Sequence, residues 1–171
     1  LVFCILIFFG TSCTDVRIGT GLQPGGSGRI IDHRHTDLSQ LQESAIHDAA
    51  DKLHIGYGHT SHGSQLSSGM DGLIDYVAAG AFQGRFDSDL FQWSHDGSSG
   101  LHLFEGSGYG NGYLDHDCGY AGWDDLTRIF LNDNPDFNVI IWSWCGQVGG
   151  YYAAGTLDEH YLLAMNQLEI E

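Results

Sequence analysis

The amino-acid sequence predicts a single α/β domain with a doubly wound, mostly parallel sheet and helices on both faces. Helix-like and strand-like segments alternate along residues 30–171, which is typical of such sheets. The segment at residues 53–57 and the apolar run at residues 137–142 are short and bounded by turn residues, as buried strands are. A chain of 171 residues with 42% apolar content can bury one hydrophobic core.

The first half of the domain is predicted to form a helix, a strand and a second helix. Behind possible caps at Thr36 and Asp37, apolar residues recur at helical spacing: Leu38, Leu41, Ala45 and Ala49. The predicted strand, residues 53–57, follows this helix. The second helix is predicted to end near Gly80, and its apolar stripe consists of Leu66, Met70, Leu73, Ile74 and Val77.

The second half supplies a long loop and the remaining elements. These are a strand at residues 101–104, a short helix at 123–130, a buried strand at 137–142 and a last helix from Thr156. A capping box, Thr156-Leu-Asp-Glu159, predicts the start of the last helix. Residues 106–122 carry six glycines, and a loop of this length often binds a ligand.

The charge of the chain excludes several classes of partner. It has 22 acidic and 6 basic residues, for a formal net charge of −16. The phosphate backbone of a nucleic acid and an anionic lipid surface would repel such a protein, so no nucleic-acid partner is predicted. Small neutral ligands, cations and sugars remain compatible with this charge.

The N-terminal residues predict export. Residues 1–9 are apolar, too few to span a bilayer but suited to a signal, and Gly10-Thr-Ser-Cys13 follows them. We interpret residues 1–13 as a lipoprotein-like signal in which Cys13 carries the lipid. This lipid is the only membrane attachment that we expect. The alternative is a plain secretory signal. Residues 14–29 form a Gly-rich linker. Because no Met precedes Leu1 and the chain stops inside a predicted helix, we expect a domain truncated at both ends, with its C-terminal part incomplete.

Export changes how the cysteines are interpreted. With Cys4 in the signal and Cys13 in the lipid anchor, Cys118 and Cys145 remain in the domain. In an oxidising compartment these two residues could pair, and the spacing alone leaves this open. The sequence has no C-x-x-C or H-E-x-x-H spacing, so no metal site and no cofactor are predicted.

The turn after the first predicted strand is the main candidate site. Its sequence, Gly56-Tyr-Gly-His-Thr-Ser-His-Gly-Ser-Gln65, crowds serines and histidines between a strand and a helix, where nucleophiles are often held. The segment Ser143-Trp-Cys-Gly-Gln147 follows another predicted strand. Ligands of parallel sheets bind beyond the carboxyl ends of the strands, so both segments are expected at one rim. The alternative is a tight connection whose serines only cap the helix.

The order of these segments resembles the SGNH (GDSL-type) hydrolase superfamily, which implies a flavodoxin-like fold and a serine ester hydrolase. The resemblance covers about residues 50–170 and lies in three blocks: residues 53–65, 134–147 and 159–166. The motifs diverge from the family's pattern. The chain has Gly58-His-Thr-Ser61 where the family has Gly-Asp-Ser, and Cys145-Gly-Gln147 where the family has Gly-x-Asn-Asp.

The resemblance assigns roles to individual residues. It implies that Ser61 is the nucleophile, with Ser64 as second choice, and that the backbone near His62 and Gly63 helps to stabilise an oxyanion. Gln147 stands where the family has an asparagine that donates to this oxyanion, and Gly110 or Gly112 could add a donor. The family's Asp-x-x-His is not matched, so the general base is His59, His62 or a residue outside the sequence. Of the nearby tryptophans, one is expected in the core and the other, such as Trp144, at the rim.

Three functions remain open from the sequence. The first is an exported or surface-anchored ester hydrolase that acts on a small or polysaccharide ester, possible substrates including acetylated sugars, through Ser61. The second is a non-catalytic module of the same fold that binds glycans through the tyrosines of its Gly-rich loops. The third and weakest is a metal site formed by His59, His62 and Cys145.

Overall fold

A five-stranded sheet forms the centre of the protein. The computed structural model describes the backbone of residues 3–6 and, in full, residues 37–106, 112–120 and 122–171. The strands are β1 (Phe3–Leu6), β2 (His54–Gly58), β3 (Trp93–Ser94), β4 (Leu101–Glu105) and β5 (Val139–Ser143), in the spatial order β1-β5-β2-β4-β3. Strands β2 to β5 run parallel, while β1 pairs antiparallel with β5 at one edge. The predicted mostly parallel sheet is thereby confirmed.

Helices connect the parallel strands. They are α1 (Glu43–Lys52), α2 (Ser64–Ala78), α3 (Trp123–Asp133), α4 (Gln147–Ala154) and α5 (Leu163–Leu168), the last preceded by a π-helical turn at Asp158–Leu162. Short 3-10 helices occur at Leu38–Gln40, Ser61–Gly63, Ala81–Gly84 and Ser88–Phe91. The first predicted helix is therefore interrupted: Asp37 caps a separate 3-10 turn by accepting the Ser39 N–H at 3.0 Å, and α1 begins only at Glu43.

The two faces of the sheet carry separate apolar clusters. Side chains alternate across a strand, and in β5 Trp142 packs with α3 and α5 on one face while Ile141 packs on the other. The first cluster contains Phe130 of α3 and Tyr161, both 1% exposed or less. On the opposite face Leu66 and other residues of α2 pack against the sheet. Helices thus cover both faces, as the sequence predicts.

The predicted capping box is wrong. Helix α5 and its π-helical turn receive no side-chain cap, because the Thr156 hydroxyl lies against the Tyr151 carbonyl at 3.5 Å. The contact draws Thr156 back toward α4, a helix that the sequence did not predict. Since α4 contains Gly149 and Gly150 and leaves no residue fully buried, it lacks the apolar periodicity that would have indicated it.

The predicted export signal and linker lie outside the described residues, except for residues 3–6, whose backbone forms β1. Cys13 is likewise outside, and both assignments stay predictions. Within the described ranges, no helix combines the length and apolar character that crossing a bilayer requires.

Candidate functional site

The carboxyl ends of three parallel strands lie side by side at one rim of the sheet. Gly58 at the end of β2 is in register with Trp142 of β5, and Tyr57 is in register with Glu105 at the end of β4. The turn after β2 and the segment after β5 therefore leave the sheet next to each other. Cys145 Sγ lies 3.7 Å from His62 Nδ1, although 83 positions separate these residues.

Ser61 occupies a left-handed backbone conformation at the tip of the turn, with φ +37°. This conformation is costly for a residue with a Cβ atom. The side chain is exposed, and its Oγ lies 3.5 Å from His62 Nδ1. Ser64, the second-choice nucleophile, instead donates its hydroxyl to the Ser61 carbonyl at 2.8 Å and thereby holds the turn.

Gly63 is the buried base of the turn rather than an open donor. Its N–H donates to the Thr60 carbonyl at 2.8 Å, and its own carbonyl accepts the Tyr57 hydroxyl at 2.8 Å. Both backbone groups are thus engaged within the protein.

His59 lies beneath the turn and is 1% exposed. Its Nε2 is 2.7 Å from Glu105 Oε1, and its ring stacks on Tyr57 with centroids 4.4 Å apart. Ser67 of α2 donates its hydroxyl to the same carboxylate oxygen at 2.7 Å. This buried group supports the turn from below, so His62 is the imidazole that lies next to Ser61.

We expect the Glu105→Gln substitution to lower the free energy of unfolding by about 1–3 kcal/mol. Glu105 is 9% exposed, and its Oε1 faces both His59 and Ser67. The uncharged amide oxygen of glutamine is a weaker acceptor than the carboxylate oxygen for both groups. Urea unfolding of the variant measures the effect. Glu159→Gln removes an exposed carboxylate and should change stability by less than about 0.5 kcal/mol; equal effects in both variants would contradict the assignment.

Asp117 connects the turn to the segment after β5. Its Oδ1 accepts a short hydrogen bond from the Thr60 hydroxyl, and its Oδ2 accepts from Gln147 Nε2 at 3.2 Å. Burial acts to raise the pKa of Asp117, but the hydrogen bonds from Thr60, Cys145 and Gln147 outweigh it and hold this pKa below its ordinary value. From the sequence, Asp117 is one of four acids, with Asp115, Asp124 and Asp125, whose spacing does not match a calcium-binding EF-hand loop, and nothing in the sequence indicates its contact with the turn.

The surroundings of the Cys145 side chain favour the thiol over the thiolate. Burial first, and then the hydrogen bond to Asp117, raises the pKa of the thiol, while the backbone N–H of His62 acts in the opposite direction. Neither Cys118 nor Cys145 takes part in a disulfide bond. Across the part of the chain that the structure describes, no three His, Cys, Asp or Glu side chains are grouped closely enough to hold a metal ion.

The remaining candidates lie at different distances from this cluster. Trp144 is half-buried and packs edge-on against Tyr161, with centroids 4.6 Å apart. Gly112 has φ +71° and makes hydrogen bonds within its own loop, its N–H to Asp115 at 3.4 Å and its carbonyl to His116 at 2.8 Å. Gly110 lies outside the described residues.

Comparison with known proteins gives no match. No family model, no curated protein and no solved structure corresponds to this chain. The similarity to the SGNH superfamily therefore rests on the order and residues of the motifs, and membership of that family stays a prediction.

Proposed function

We propose that the protein is an exported, SGNH-like ester hydrolase with Ser61 as its nucleophile. The observation that carries this proposal is the strained conformation of Ser61 at a strand-to-helix turn, with its hydroxyl 3.5 Å from an imidazole. A non-glycine residue held at positive φ costs about 1–3 kcal/mol, and such strain clusters at functional sites. A sharp turn between strand and helix is also how many hydrolases expose a serine.

The chemistry would proceed by acyl transfer. As Ser61 Oγ attacks the acyl carbon, its proton passes to His62 Nδ1, and the carbonyl oxygen becomes an oxyanion. When the intermediate collapses, the alcohol oxygen leaves with that proton and the acyl group stays on Ser61. Water then attacks the acyl carbon as His62 takes its proton, and when the bond to Ser61 Oγ breaks, His62 returns the proton to that oxygen and the acid leaves. The distance of 3.5 Å must shorten by a few tenths of an ångström, as such contacts do when substrate binds.

Gln147 is the side-chain donor best placed to stabilise the oxyanion. Gly63 uses its N–H inside the turn, so a donor from outside the turn is needed. The Gln147 amide carries two N–H groups, and one of them donates to Asp117. The second N–H is available for an oxyanion.

Ser61 is a better nucleophile candidate than Cys145, although both approach the same His62 nitrogen. Cysteine attacks as its thiolate. Burial and Asp117 raise the pKa of the Cys145 thiol and so keep it protonated. A serine attacks as its hydroxyl is deprotonated by a neighbouring base, so it needs no such shift.

A neutral ester, such as an acetylated polysaccharide, fits the surface best. The formal charge of −16 would repel an anionic substrate. Tyr120 of the Gly-rich loop is 59% exposed and Tyr152 of α4 is 74% exposed, and aromatic faces of this kind stack on sugar rings. The lipid anchor at Cys13, or a secretory signal, would place the enzyme at the cell envelope or outside the cell.

We expect a fluorophosphonate probe to label the wild-type protein at Ser61. The probe forms a stable bond with an activated serine, and peptide mass spectrometry locates the adduct. The rate of p-nitrophenyl acetate hydrolysis should decrease in proportion to the fraction of the protein that the probe has labelled. Absence of any adduct, or an adduct confined to an exposed serine such as Ser68, would contradict the proposal.

A glycan-binding module without catalysis is the second candidate, and the exposed tyrosines favour it. One comparison of the wild-type protein with Ser61→Ala distinguishes the hydrolase from the glycan-binding module. If the protein binds polysaccharide but neither reacts with the probe nor hydrolyses esters, and if Ser61→Ala leaves binding unchanged, the module is correct.

A further inference from the structure

The carboxylate of Asp117 lies where three distant parts of the chain meet. It belongs to the Gly-rich loop before α3, yet its two oxygens accept hydrogen bonds from Thr60, which is 57 positions away, and from Gln147, which is 30 positions away. The same loop is fastened to the rim by its backbone: the Cys118 N–H donates to the Ser143 carbonyl at 3.2 Å, and the His59 N–H donates to the Leu114 carbonyl at 3.1 Å.

We propose that Asp117 is the positioning residue of this rim, whose carboxylate holds the serine turn and the Cys145–Gln147 segment in one arrangement. The inference rests on the proposed function, because it assigns Asp117 a role in hydrolysis at Ser61. It extends that function by naming a residue that touches no substrate and acts through its neighbours.

The contact with Thr60 acts on the nucleophile. Thr60 directly precedes Ser61, so fixing the Thr60 side chain restrains the strained backbone that exposes the Ser61 hydroxyl. A strained backbone conformation of this kind persists only where contacts with surrounding residues hold it in place. Asp117 provides such a restraint from outside the turn.

The contact with Gln147 acts on the oxyanion. A side-chain amide can rotate and exchange its oxygen and nitrogen ends, so its orientation depends on its partners. A carboxylate accepts hydrogen bonds and donates none, and Oδ2 therefore selects the N–H end of Gln147. Asp117 thereby fixes which end of the amide faces the rim.

The first test is the Asp117→Asn substitution, assayed with p-nitrophenyl acetate. Asparagine keeps the shape but is uncharged and has one acceptor oxygen in place of two, so it can accept a hydrogen bond from Thr60 or from Gln147 but not from both through separate oxygens. We expect kcat to fall by about 10²-fold, with KM changed by less than about threefold, because misplaced groups affect the transition state more than substrate binding. The control, Asp136→Asn, removes an exposed carboxylate from the turn before β5, at the opposite end of that strand from the site, and should leave kcat unchanged.

The second test is a double-mutant cycle with Gln147→Ala. Because Asp117 acts through Thr60 as well as through Gln147, the double variant should lose more activity than Gln147→Ala alone but less than the product of the two single losses. Losses that multiply would show that the two residues act independently and would overturn the proposed route through Gln147.

A third measurement does not depend on hydrolysis. Burial and the hydrogen bond to Asp117 both raise the pKa of the Cys145 thiol, so in Asp117→Asn the midpoint of the pH profile for Cys145 alkylation by iodoacetamide should move to lower pH. Peptide mass spectrometry separates Cys145 from the other cysteines. An unchanged midpoint in a folded variant overturns the inference. If the wild-type protein hydrolyses no ester, the proposed function fails, and the alkylation profile alone decides whether Asp117 holds the two segments together.

Discussion

Replacing Ser61 with alanine is expected to lower kcat for p-nitrophenyl acetate by about 10³-fold or more, while the protein stays folded. The hydroxyl is the group that would form the acyl-enzyme, and no neighbouring serine replaces it, because Ser64 donates its hydroxyl to the Ser61 carbonyl. Alanine carries the same Cβ atom, so the backbone strain at φ +37° is unchanged. The loss should therefore be confined to catalysis.

Two further variants make this test specific. Ser68→Ala removes another exposed hydroxyl of the same region, on α2, and should keep full activity. Ser61→Gly should lose activity like Ser61→Ala yet gain about 1 kcal/mol of stability, because glycine adopts positive φ without strain. Steady-state kinetics and urea unfolding of the three variants measure both effects. If Ser61→Ala kept its kcat and still reacted with the fluorophosphonate probe, Ser61 would not be the nucleophile.

The sequence could predict the strands that carry the site. Strands β2, β4 and β5 lie within two residues of their predicted bounds, because each is a short apolar run next to turn residues. The edge strand β3 has only two residues, Trp93 and Ser94, which is too short for any periodicity to indicate it. Asp37 was a correct cap, but the helix behind it breaks at Leu41, where the backbone turns extended.

The candidate site was only partly accessible from the sequence. Ser61 and His62 could be found because their whole context, a strand followed by a Gly-rich turn and a helix, is local. Glu105 and Asp117 could not, because their functions depend on partners in distant segments: Glu105 faces His59, which is 46 positions away. The sequence does not show which of the 22 acidic residues makes such a long-range contact.

Gly63→Ala should be among the most destabilising single substitutions in the turn, lowering the free energy of unfolding by about 2–3 kcal/mol. A Cβ atom at this position would lie 2.6 Å from His59 Cγ and 2.5 Å from Ser143 Oγ. Both neighbours are buried, His59 between Tyr57 and Glu105 and Ser143 at the end of β5, so neither can move aside without disturbing the sheet. The backbone of Gly63 itself, at φ −63°, would accept alanine without strain.

The matched control for this effect is Gly69→Ala in the middle of α2, where a Cβ atom would meet nothing within 4 Å. There the same substitution should stabilise the protein by about 0.5–1 kcal/mol, because alanine favours the helix and restricts the unfolded chain. The same chemical change is thus expected to act in opposite directions at two positions six residues apart, which urea unfolding at constant pH can resolve. Since a shifted His59 would also move the turn that presents Ser61, activity should fall in Gly63→Ala and not in Gly69→Ala. Equal stability of the two variants would mean that the space around Gly63 is open, and that the buried support beneath the nucleophile is not as tight as its contacts indicate.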